Sequence, residues 1–142
     1  VDERENLYVI DFSETRPRNI VSDFARMVPI VKFETTRLES EQDLERLLEF
    51  EEGLAAVSSL NETPENRYRG DDPMVAKAHA VICRLRKYAK MATLFETEMT
   101  PYWLAVLEWT YSVVCYALPA IRKKYAAYSA AIICERVMRE AA

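Results

Sequence analysis

Only two glycines, Gly53 and Gly70, occur in 142 residues. β-Sandwiches and doubly wound α/β folds need glycine at their turns, where the backbone adopts conformations other residues resist. A chain this poor in glycine is expected to consist of long helices joined by few, short connections. Half of its residues are apolar and 30% are charged, which excludes a disordered chain. The length suits one domain with an arm.

Residues 1–18, VDERENLYVIDFSETRPR, hold a short apolar run from Leu7 to Phe12 between charged flanks. Pro17 disfavours helix at Arg16, so this segment reads as an extended N-terminal arm. From Asn19, a two-turn helix presenting Ile20, Val21, Phe24 and Met27 is expected to close at Pro29. A second helix starts with a capping box, Thr36 with Glu39 or Ser40 with Asp43. It carries Leu44, Leu47, Leu48, Leu54 and Val57 inward to about Leu60. Asp72 and Pro73 open a third, running to about Phe95 with Val75, Ala78, Ile82, Leu85, Ala89 and Ala92 inside. Thr100 and Pro101 open a fourth in the same way, and Pro119 breaks it. A last helix aligns Ile121, Tyr125, Tyr128 and Ile132. Its alanines 120, 126, 127, 130 and 131 suit close approach of another helix. The predicted fold is all-α: an arm over 1–18 and a bundle of four to five helices over 19–142.

Little in the sequence suggests catalysis. His79 is the only histidine, no serine or cysteine lies in a nucleophile motif, and Gly53 and Gly70 form no phosphate-binding loop. One histidine cannot supply the paired Glu-x-x-His ligands of a helical metal site. Cys83, Cys115 and Cys134 are too far apart for a zinc or disulfide framework and read as small apolar residues. No enzyme activity, cofactor, metal or small-molecule substrate is expected. No basic-then-apolar leader opens the sequence, so no secretory signal is expected either.

Charge is distributed unevenly. Residues 1–72 carry 18 acidic and 9 basic side chains, whereas residues 73–142 carry 5 acidic and 10 basic. Such a chain can pair its halves internally, join copies of itself head to tail, or offer one face to a polyanion. Between Pro73 and Phe95 there are Lys77, Arg84, Arg86, Lys87 and Lys90 and no acid. At about 100° per residue, Lys77, Arg84 and Lys87 share one side, with Arg86 and Lys90 on an adjoining strip. Arg16, Arg18, Arg26, Lys32 and Arg37 form a second basic group. Neutralising phosphate needs only positive charge within reach.

The stretch TPYWLAVLEWTYSVVCYALPAIRKK, residues 100–124, approaches the length of a membrane span. Glu108 near its middle opposes that reading, since an acid there costs about 3 kcal/mol on insertion scales. Its apolar residues point in every direction. So short a chain is expected to leave some of them for another subunit to bury, among them Trp103, Val106, Trp109, Tyr111, Val113 and Tyr116, with Tyr125 and Tyr128 of the next helix.

The basic arm with Arg16-Pro17-Arg18, the glycine-poor helical body and the apolar C-terminal half resemble the major coat proteins of filamentous and rod-shaped archaeal viruses. One glutamine and four asparagines against many Glu, Arg and Lys fit a hot environment. The resemblance implies a virion subunit that assembles helically around double-stranded DNA held in A form. By position it makes Arg16, Arg18, Arg26 and Lys32 phosphate contacts, with Lys77, Arg84, Arg86, Lys87 and Lys90 as the opposite wall. The net charge of −4 departs from that family and leaves room for a second, more basic homologous coat subunit beside copies of this one. Two other readings stand beside it: a small helical subunit of a nucleic-acid effector complex such as CRISPR surveillance assemblies, and a cytoplasmic adaptor that binds only protein.

Overall fold

The computed structural model describes residues 19–93 and 98–141, and the proposed arm lies outside them. The described residues are all-α, with no strand: α1 (Ser22–Ala25), α2 (Met27–Thr35), α3 (Glu41–Ala55), α4 (Pro73–Ala92), α5 (Thr100–Cys115) and α6 (Ala120–Ala141). α5 packs along α6, α3 lies on α6, and α1 and α2 fill the space between α4 and α5. The core runs through Leu47, Phe50, Val75, Ile82, Tyr102, Val106, Tyr125 and Ile133.

The helix starts follow local chemistry. Ser40 and Asp43 close a complete capping box on α3, each side chain accepting from the other's backbone N–H. Asp72 caps α4 through Met74 N at 2.8 Å, and its other oxygen accepts from Arg37 N at 2.8 Å. One carboxylate therefore starts a helix and anchors the chain leaving α2. Gly53 fulfils a packing need, because a Cβ there would overlap the Glu65 carbonyl oxygen, where the 61–70 loop crosses α3.

Three expectations about the helices are corrected. Pro29 does not end a helix; it is the third residue of α2, where its missing N–H leaves no bond unmade. Thr100 is the first residue of α5 rather than its cap, and its hydroxyl donates to Glu140 Oε2 at 3.0 Å. The inner stripe of α6 is Tyr125, Ala126, Ser129 and Ile133, which leaves Tyr128 outside.

The largest correction concerns α5. Covered by α1, α2 and α6, it hides Tyr102, Trp103, Ala105, Val106, Thr110 and Val113 within a single chain. Trp103, Val106, Val113 and Tyr125 are therefore core residues, not subunit contacts, each large apolar side chain contributing about 1.5–3 kcal/mol by burial. Trp109 is half-buried under the Arg26 guanidinium, 4.9 Å from the ring centroid. No helix among the described residues is long and apolar enough to cross a membrane.

Candidate functional site

Two of the predicted phosphate contacts lie in the interior. Lys32 retains 1% of its surface, and its Nζ donates to Glu51 Oε2 at 2.9 Å and Ser129 Oγ at 2.8 Å. Ser129 Oγ donates to the same Glu51 oxygen at 3.0 Å, and Tyr125 OH donates to Glu51 Oε1 at 2.7 Å. The ammonium also sits 5.2 Å from the Phe33 ring, which meets Tyr125 edge-on at 4.8 Å. Both carboxylate oxygens are satisfied, so this network ties α2, α3 and α6 together. Burial, with Glu51 adding to it, pushes the Tyr125 phenol well above its ordinary range. Lys32 cannot reach a phosphate from here.

Arg86 is the second buried cation, 2% exposed, on the inner stripe of α4. Its guanidinium lies over the adjoining Tyr102 and Trp103 rings, 5.6 and 5.7 Å from their centroids. Its polar contacts are long: Leu54 O at 3.5 Å, Ser59 O at 3.3 Å and Met99 Sδ at 3.4 Å. Its Nε–H is buried with no acceptor. No carboxylate pairs with it among the described residues, and burial lowers its pKa from the usual arginine value.

Arg86 forms part of a cleft of about 390 Å³ between α4 and the 60–64 segment. The α4 wall holds Cys83, Arg84, Lys87 and Lys90, and the other wall holds Leu60 and Asn61 to Pro64. His79 pins the two walls together, its Nε2–H donating to Pro64 O at 2.8 Å. Burial pushes the Cys83 thiol up, which opposes nucleophilic use.

Lys77, Arg84 and Lys87 are exposed along α4 as the helical spacing predicts, and Lys90 is half-buried. The first three make no ion pair among the described residues. Lys124 with Glu41, at 2.7 Å, joins the acidic and basic parts of the chain, while Arg136 and Arg139 pair within α6. The charge asymmetry is thus mostly left on the surface. Arg26 is exposed; Arg16 and Arg18 lie outside the described residues.

Of the expected subunit contacts, Tyr111, Tyr116 and Tyr128 are open to solvent, Tyr111 at 65%. α6 also exposes a row of Ala127, Ala131, Cys134 and Met138, spaced by four, three and four, of which the sequence marks Ala127 and Ala131 for close helix approach. Glu51 and Ser129 also escaped the sequence reading. Their signal was position, since Glu51 follows Leu47 by four residues and Ser129 follows Tyr125 by four.

These features define a small all-α domain with a charged interior and apolar residues left on its outer helices. A family model described as ternary complex associated domain 9 matches residues 1–122, and the chain belongs to that family. No curated protein and no solved structure matches it.

Proposed function

We propose that this domain is a subunit of a multi-protein assembly, joined to further copies of itself and to other chains through the outer faces of α5 and α6. The carrying observation is the outer side of α6, where Ala127, Ala131, Cys134 and Met138, the last 72% exposed, form a row and the Tyr128 ring is open as well. Small side chains allow another helix close approach, and the larger ones offer about 1.5–3 kcal/mol each on burial. The family description, which speaks of a complex, agrees with this reading.

Sedimentation of the purified protein over a wide concentration range tests it. Self-association is expected, and Tyr128→Glu with Met138→Glu should abolish it while helical content is kept. A protein that remains monomeric at the highest concentrations contradicts the proposal.

A second reading, the DNA-packing coat subunit, draws on Lys77, Arg84 and Lys87 of α4, unpaired among the described residues, though Lys32 and Arg86 are not exposed beside them and the proposed phosphate wall is thinner. It requires binding to random duplex DNA that weakens steeply with salt, and filaments visible by electron microscopy.

A further inference from the structure

We infer that the cleft between α4 and the 60–64 segment is a binding site for the phosphate-monoester end of a small molecule, with Arg86 at its floor and Arg84 and Lys87 at its rim. This goes beyond the assembly reading and does not depend on it.

The argument starts from Arg86. A buried charge is normally matched by an opposite charge or by a full set of short hydrogen bonds. Arg86 makes no ion pair among the described residues, and Glu62 acts on it only at longer range; one N–H lacks an acceptor, its two carbonyl contacts are 3.3 and 3.5 Å long, and its remaining partner is the Met99 sulfur. The aromatic rings of Tyr102 and Trp103 hold the guanidinium in place without neutralising it. A planar guanidinium fixed in this way is suited to bidentate contact with an oxyanion.

The surroundings specify which oxyanion. Arg84 and Lys87 add two cations that are unpaired among the described residues. Among the described residues, Glu62 is the carboxylate that lines the cleft, and it is held in its own turn, accepting from Ser58 N at 3.3 Å and Ser58 Oγ at 2.9 Å. Even with Lys90 left aside, the described lining carries a surplus of two positive charges. That matches the charge of about −1.5 to −2 on a phosphate monoester better than the single charge of a carboxylate. A volume of about 390 Å³ lies within the usual size range of ligand pockets. No aromatic residue among the described lining is placed to stack a base, so recognition rests on the phosphate, with Leu60 and Pro64 contacting whatever carries it.

The test is amide NMR and calorimetry on the full chain with sodium pyrophosphate and inorganic phosphate, compared with sodium chloride at equal ionic strength. Perturbations are expected at Asn61 to Thr63 and around Arg84 and Lys87. Arg84→Ala with Lys87→Ala should weaken pyrophosphate binding at least tenfold, and Arg86→Met should do the same. Arg69→Ala removes an exposed cation outside the cleft and should leave the affinity unchanged. If Arg86→Met fails to fold, the double rim variant still decides the matter. Three results would overturn the proposal: equal perturbation by chloride, an affinity indifferent to the rim variants, or binding of a poly-glutamate peptide or duplex DNA at these residues that pyrophosphate cannot displace.

Discussion

Among the described residues, two buried cations stand in opposite circumstances. Lys32 is enclosed by a carboxylate, a hydroxyl and an aromatic face, and its partner Glu51 has both oxygens occupied. Arg86 has aromatic faces, two long carbonyl contacts and an idle N–H, and it makes no ion pair among the described residues, Glu62 acting on it only at longer range. The first arrangement is complete and holds three helices in register. The second is incomplete and adjoins a cleft. A charge matched inside the fold stabilises the fold, whereas a charge left unmatched is available to something that arrives later.

The contrast is sharpest under mutation. Glu51→Gln keeps the shape of the network but leaves the Lys32 charge uncompensated. It should cost about 3–5 kcal/mol in chemical denaturation. Tyr125→Phe removes one hydrogen bond to that carboxylate and should cost about 1.5–3 kcal/mol, read as a lower denaturation midpoint at an unchanged slope. Arg86→Met replaces the guanidinium by a shorter, apolar and adaptable side chain and removes the unmatched charge. It should change stability by no more than about 1 kcal/mol, in either direction.

Raising the pH probes both sites more gently. Burial pushes the Tyr102 and Tyr125 phenols up, and at Tyr125 the Glu51 charge pushes in the same direction. In the unfolded chain both ionise near pH 10. Above that pH the unfolded state releases protons that the folded state retains, so stability should fall from about pH 10 upward. Circular dichroism against pH should show this fall, and Tyr125→Phe should make it shallower.

The sequence was clearest where structure depends on neighbouring residues. Ser40 with Asp43, and Asp72 with Pro73, mark helix starts because caps are local chemistry, and glycine scarcity led directly to an all-α fold. It was least clear where a charged residue occupies an inner position. Lys32 and Arg86 read as surface cations because charge normally faces water, although Arg86 continues the Val75, Ala78, Ile82, Ala89 stripe. The covering of α5 was also missed. Pro29 was read as a stop, so α2, which supplies part of that cover, was not foreseen. No local pattern could place Arg86 over Tyr102 and Trp103, which follow it by 16 and 17 residues and lie on another helix.

Urea denaturation of the wild-type protein, Glu51→Gln and Arg86→Met, measured side by side, addresses the contrast between the two cations most directly. The Glu51 variant should lose several kcal/mol, about 3–5, while the Arg86 variant stays near the wild type. Large destabilisation by Arg86→Met with little effect of Glu51→Gln would show that the roles of the two buried charges have been assigned the wrong way round.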